Sequence, residues 1–283
     1  MSSPRISLDS RPAFLGNRRA RMDTMIQHDL RELLRYKDLL LNLVIRHLTV
    51  RYRRSMLGFC WSLLNPLLNT VVFTIVFATV FRFGMKDFII YFLSGYQLWN
   101  FVSQSTVDAA HSILLNGQLF NKIYLPTSIF VYSVVLSGLI NLGLALVPLF
   151  LLVLVIGKGL HPALVFLPLP LLFTLLFSLG VSLTLASTAV FFHDIINFYK
   201  IILMPWMYLT PIVYPLNIVP EKYLPLIKLN PMYYLVECFR QPIVAGTLPD
   251  VNLVLMAGGI SLATLFVGYA IFHRLSDKFV YYV

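Results

Sequence analysis

The chain has 283 residues, of which 58% are hydrophobic and only 12% charged, and its mean hydropathy is +0.79. A soluble globular domain is about 25% charged, so the composition excludes a soluble protein built around one buried core. The net charge of +10 does not point to nucleic acid. The cations sit beside apolar runs, where anionic lipid and the positive-inside bias account for them.

Residues 1–35 form a basic tail. Its first 25 residues carry Arg5, Arg11, Arg18, Arg19 and Arg21 without an apolar run. A cleavable signal would need an apolar core of about 7–15 residues, so none is expected. Residues 36–55 read as an amphipathic helix. Leu41, Val44, Ile45, Leu48 and Tyr52 share one face, and Asn42, Arg46, Thr49 and Arg53 share another. A basic helix of this kind lies in the membrane interface. It ends at Arg51, Arg53 and Arg54, where the chain passes from cations to a charge-free run of 26 residues, Met56–Phe81. About 20 apolar residues span a bilayer core as a helix.

Five more spans follow within residues 56–273. Phe88–Val107 is the second. The third starts after Pro126 within Ile123–Gly157, because proline suits a helix start. The fourth lies in Gly159–Phe192, from about Leu164. The fifth is Ile201–Pro220, with a possible earlier start near Ile196 and Lys200 snorkelling. The sixth is Val251–Phe272. Continuous apolar runs favour helices, whose backbone groups are satisfied internally, over a barrel of short alternating strands. The expected fold is therefore an all-α integral membrane protein with six transmembrane helices.

Six spans place both termini on one side. Of the 22 Lys and Arg, 12 precede Met56. With Lys122, Lys200, Arg274 and Lys278 the terminal side holds 16. The opposite side holds Arg82, Lys86, Lys158, Lys222, Lys228 and Arg240. The terminal side, including the tail 274–283, is thus cytoplasmic. The longest outer segment runs from Pro215 to Asp250. Its apolar stretches are too short to cross and read as re-entrant or interfacial helices. Within it Glu237 and Arg240 are three apart and suited to pairing on one helix face.

Chemistry is sparse. There is no H-E-x-x-H, C-x-x-C, G-x-S-x-G or Walker A pattern. The six histidines are scattered, and no metal site is expected. Cys60 and Cys238 fall on opposite sides, so both are expected as free thiols. An intramembrane enzyme would need a cluster of acid, base or metal ligands. A secondary transporter would place an ionisable group at depth. The charge-free runs hold none, so energy for uphill movement must enter from a separate ATPase. The cytoplasmic loop Asp108–Tyr124 is the only sizeable one between spans to receive it.

RYRRSMLGFCWSLLNPLL, LNGQLFNKIYLP, FFHDI, YLTPIVYPLNIVPE and LNPMYYLVECFR, in this order, resemble the membrane subunit of bacterial ABC-2 exporters of polysaccharide. The resemblance runs from about Lys37 to the C-terminus and is closest to permeases for O-antigen or related envelope glycans. It implies a homodimer in the inner membrane with two copies of an ATP-binding subunit. That subunit would bind ATP and magnesium, leaving no cofactor in this chain. The implied substrate is a glycan on polyprenyl diphosphate, with teichoic acid or a small amphipathic molecule as the alternative. By the same resemblance, Asn116, Gly117, Gln118, Leu119, Phe120, Asn121 and Lys122 match the loop that docks on the ATPase. The 221–247 region, with Glu237 and Arg240, matches the outer gate. His193 departs from the family, whose members often carry arginine before the aspartate corresponding to Asp194. Arg51, Arg53 and Arg54 are suited to the carrier diphosphate or to lipid headgroups. Sugars stack on aromatic rings, which makes Trp61, Tyr96, Trp99, Trp206, Tyr208 and Tyr214 channel-lining candidates, Trp99 and Trp206 foremost.

Overall fold

The computed structural model describes residues 35–52, 58, 61–76, 88–117, 125–156, 159, 161–279 and 282. Among the described residues there is no strand. The helices are α1 (Lys37–Tyr52), α2 (Trp61–Ile75), α3 (Phe88–Leu115), α4 (Ser128–Val155), α5 (Pro168–Phe191), α6 (Asp194–Leu209), α7 (Leu224–Lys228), α8 (Pro231–Val244) and α9 (Val251–Ser276). Short 3-10 turns cover Pro162–Phe166, Leu216–Ile218 and Glu221–Tyr223.

Among the described residues, three helical segments are long and apolar enough to cross a membrane: Ser128–Val155, Pro162–Phe191 and Val251–Ser276. A third or less of the most apolar part of each is buried inside the protein. In water such faces would drive aggregation; in hydrocarbon they meet their own kind. Ile140, Val147, Leu151 and Leu154 on α4, and Leu255, Leu262, Phe266 and Val267 on α9, all point outward.

The core is organised around α3. Ile90, Phe92, Leu93, Leu98, Val102 and Ile113 are fully enclosed by α4, α5 and α8. Small hydroxyls stitch the helices together. Ser105 donates to the Phe101 carbonyl at 2.6 Å, and its Oγ lies 2.8 Å from Ser178 Oγ on α5. Thr106 donates to the Val102 carbonyl at 2.6 Å, and its Oγ1 lies 2.9 Å from the Tyr199 hydroxyl on α6. Helices α5 and α9 meet backbone to backbone. A Cβ at Gly268 would strike the Gly180 carbonyl, and one at Gly180 would strike Thr264. Close approach through small residues is how helices associate in lipid, where burial of apolar surface gives no drive.

The elements differ from the sequence expectation at three places. α3 continues past Val107 to Leu115, so residues 108–115 of the expected loop are helical. Asp108 ends the apolar run but not the helix, since AAHSILL consists largely of good helix formers. The helix in the region expected to be the fifth span starts at Asp194 and stops at Leu209, not Pro220. Pro211 and Pro215 punctuate the turn that follows and remove backbone donors from any continuation. In α1 the side covered by protein is Leu43 and Val44, whereas Leu41 and Ile45 are exposed. His47 Nε2 lies 3.3 Å from Ser133 Oγ on α4 and holds that side inward. The charge-free run Met56–Phe81 is described at Gly58 and over 61–76, and it is helical over 61–76.

Candidate functional site

Two polar clusters grip the turn after α6, and a polar strip runs along α3 toward the opposite end. The first cluster is centred on Arg240 of α8, which is only 2% exposed. Its Nη1 donates to Glu237 Oε1 at 2.6 Å and to the Pro211 carbonyl at 2.9 Å. Its guanidinium carbon lies 3.7 Å from the centre of the Tyr91 ring, a cation–π arrangement. The Tyr91 hydroxyl reaches the carbonyls of Pro211 (3.2 Å) and Tyr214 (3.0 Å). Nη2 occupies the place where a Cβ of Gly95 would stand, so glycine at 95 admits the guanidinium against α3. Arg240 Nε and Nη2 have no hydrogen-bond partner among the described residues. The helix spacing expected to pair Glu237 with Arg240 does so, but in a buried setting.

The second cluster is centred on Asn230, the N-cap of α8. Its Oδ1 accepts from the Met232 amide at 3.0 Å and from Trp206 Nε1 at 2.9 Å. Its Nδ2 donates to Thr210 Oγ1 at 2.8 Å and to the Leu209 carbonyl at 3.3 Å. Pro231 follows at N1, the position where a missing N–H costs nothing. The turn 209–214 is therefore held by Asn230 on one side and by Arg240 with Tyr91 on the other.

On α3, Tyr96 accepts from Asn69 Nδ2 of α2 at 3.2 Å. One turn on, Gln104 Nε2 donates to Asn100 Oδ1 at 2.9 Å. Further along, His47, Asp108, His111, Ser112, Asn116 and Asn141 contribute to a cleft of about 270 Å³ between α1, α3 and α4. His111 stands beyond the apolar part of α3, its ring 6.2 Å from that of His193. Burial, then Lys200 and His193, hold its pKa below the ordinary histidine value, against an opposing pull from Asp108. A lowered histidine pKa means the folded state binds fewer protons than the unfolded one. The stability this implies is complete above about pH 6.5 and lost as pH falls through and below that value. Thermal unfolding of detergent-solubilised protein should thus weaken from pH 7.5 to 5.5, with a smaller drop in His111→Gln.

The residues singled out from sequence are distributed as follows. Arg51 lies in the last turn of α1, while Arg53 and Arg54 fall outside the described residues. Asn116 sits just past α3, its Nδ2 donating to the Ser112 carbonyl at 2.7 Å. Gly117 is described and buried, and Gln118–Lys122 lie outside the described residues. Trp61 and Tyr208 are exposed, at 37% and 54%. Tyr96 and Tyr214 are half-buried, and the Tyr214 hydroxyl donates to the Tyr208 carbonyl at 2.9 Å. Trp99 is one of the two foremost lining candidates. It is 5% exposed and meets Trp206 edge to face at 5.6 Å. Trp206 also packs against Phe177 at 6.5 Å and spends its N–H on Asn230. These two rings brace the α3–α5–α6 junction, with Trp99 buried and Trp206 partly exposed. Sequence reasoning missed Tyr91, Gly95 and Asn230. Asn-Pro before an apolar helix is a readable capping signal; nothing local marks Tyr91 or Gly95, whose roles come from a partner about 145 residues away.

Among the described residues no group of three or more His, Cys, Asp or Glu could hold a metal ion. Cys238 is a buried free thiol, and Cys60 lies outside the described residues. The described residues form a helical body whose long apolar helices suit a membrane. The chain belongs to the ABC-2 type transporter family, whose model matches residues 38–244. Among its relatives, the O-antigen export system permease protein RfbA of Myxococcus xanthus is 30% identical over 253 residues, 88% of this chain and 96% of the relative. A protein of the same name from Klebsiella pneumoniae is 30% identical over 248 residues, 86% and 93% of the two chains. The polysialic acid transport protein KpsM of Escherichia coli is 25% identical over 243 residues, 83% and 92% of the two chains.

Proposed function

We propose that this chain is the membrane permease of an ATP-driven exporter that moves a polysaccharide, carried on polyprenyl diphosphate, across the cytoplasmic membrane. The observation that carries the reading is the near full-length similarity to permeases named for O-antigen export and polysialic acid transport. In this reading α2, α3, α4, α5, α6 and α9 are the six spans and both termini are cytoplasmic. The basic residues gathered before Met56 and at Lys122, Lys200, Arg274 and Lys278 support that orientation. The protein works as a homodimer with two copies of an ATP-binding subunit, which supplies the hydrolysis.

Arg51, Arg53 and Arg54 meet lipid phosphates and the carrier diphosphate where α1 approaches the first span. Asn116–Lys122 receives the closure of the ATPase. α3 then acts as the lever. At about 1.5 Å per residue its 28 residues extend about 42 Å. One end joins the coupling loop, and the other carries Tyr91 and Gly95 beneath Arg240. Tilting α3 shifts the support of the 209–214 turn and of α8, which opens the outer gate. Trp61, Tyr96, Trp99, Trp206, Tyr208 and Tyr214 are the aromatic candidates for contact with the sugar chain.

The test replaces Asn116–Lys122 by a Gly/Ser linker of equal length in the assembled exporter. Insertion of the permease should persist, while export and substrate-dependent ATPase stimulation are lost. Export at the parental rate in that variant would contradict the coupling route.

A further inference from the structure

Apart from Asp194, Asn197 and Lys200 in the first two turns of α6 and the ends of α9, the outward faces of α4, α6 and α9 are apolar, with Val147, Leu151, Phe198, Ile201, Met204, Leu262 and Phe266 among the exposed side chains. That is the surface hydrocarbon selects. α3 departs from it. Between Tyr96 and His111 its open or half-open positions are Tyr96, Asn100, Ser103, Gln104, Val107, Asp108 and His111, all but one of them polar. Positions 100, 104, 108 and 111 follow the three- and four-residue steps of one helix face. They form a strip about 16 Å long, at about 1.5 Å per residue. The strip runs from the Asn69–Tyr96 bond into the cleft that His47, Asp108, His111 and Asn116 help to line. α2 and α6 both border α3.

Gln104 and Asn100 bond to each other. That bond occupies one donor and one acceptor; two carboxamides offer several more of each. Held against lipid tails, those groups would be unsatisfied, which hydrocarbon penalises heavily. Held against water and hydroxyl groups, they are satisfied. Neutral carboxamides also suit a sliding partner. They donate and accept alike, and they carry no charge that would trap an anionic or cationic unit.

We propose that Asn100 and Gln104 line the wet path through the membrane and contact the translocating substrate, a polyhydroxylated chain, by exchanging hydrogen bonds with its hydroxyls. This rests on the export reading above and assigns residues to its path. The sequence carries the sign, N-x3-Q-x3-D-x2-H at positions 100–111, which starts inside the apolar run Phe88–Val107 and continues past its end.

The experiment uses the assembled exporter in membrane vesicles and has two arms. In the first, Gln104→Cys and, separately, Leu262→Cys are exposed to a membrane-impermeant methanethiosulfonate reagent, with the parent's reaction subtracted. Thiols react as thiolates, which form in water and not in lipid. Gln104→Cys should react at least about tenfold faster than Leu262→Cys. Equal, slow rates at rest and during ATP turnover would overturn the proposal. In the second arm, Asn100→Leu with Gln104→Leu should lower glycan export about tenfold at equal complex assembly. Gln104→Asn with Asn100→Ser should retain most of it. Normal export by the leucine pair overturns this inference alone. A parent that moves no glycan overturns the export reading and this inference with it.

Discussion

Gly268→Leu should prevent the chain from reaching its native packing. The residue sits where α9 crosses α5, and a Cβ there would overlap the carbonyl of Gly180 and stand 2.9 Å from its Cα. Both obstacles are backbone, so no side-chain rotamer relieves them. Ordinary overpacking costs about 1–3 kcal/mol because side chains yield. Here the helices must separate, and the loss should exceed about 4 kcal/mol, a large share of a typical stability. The control lies on the same helix. Gly259 is exposed, with nothing within 4 Å of a Cβ. Gly259→Leu should be neutral or stabilise by up to about 1 kcal/mol through helix propensity alone. Gel filtration and thermal unfolding in detergent read both: aggregation for the first variant, a monodisperse peak for the second. Equal behaviour would show that α5 and α9 do not meet through these glycines.

The next largest effect is expected at Glu237. Arg240 is buried, and Glu237 is the one acid hydrogen-bonded to it among the described residues. Removing one partner of a buried ion pair leaves a charge without compensation, at a cost of about 3–5 kcal/mol. Glu237→Ala should therefore lower thermal stability sharply and loosen the 209–214 turn, since the same Nη1 also holds the Pro211 carbonyl. Adding Arg240→Met to Glu237→Ala should recover much of the stability, because well-packed apolar replacements of buried pairs are often neutral. Export should stay impaired in the double variant if the pair works as a gate. A double variant no more stable than Glu237→Ala would show that the guanidinium contributes through Tyr91 and Pro211 rather than through its pairing.

The contrast between these two sites explains what the sequence could and could not reveal. Apolar runs bounded by charge located α4, α5 and α9 closely, because hydrocarbon thickness sets a length that composition must meet. Boundaries failed where charge and helix propensity parted company. Asp108 ends an apolar run inside a continuing helix, and Thr210–Tyr214 breaks a run that contains no charge. The Glu237–Arg240 pair was legible from its spacing. Its burial was not, since that depends on a glycine at 95 and a tyrosine at 91 on a distant helix. The distance of Trp99 and Trp206 from charged borders suggested a place beside the pore, and only the fold shows that the two rings pack edge to face and that Trp206 bonds Asn230. The small residues Gly180 and Gly268 pass unnoticed in a sequence with 14 glycines until the two helices are laid together.

The most direct measurement for the export reading is the fate of lipid-linked glycan in cells from which this permease has been removed. The expected result is accumulation of polyprenyl-diphosphate-linked polysaccharide on the cytoplasmic face, with loss of that glycan from the cell surface and restoration of both by the wild-type chain. Surface glycan at the normal level, with no cytoplasmic accumulation and no compensating permease, would contradict the account.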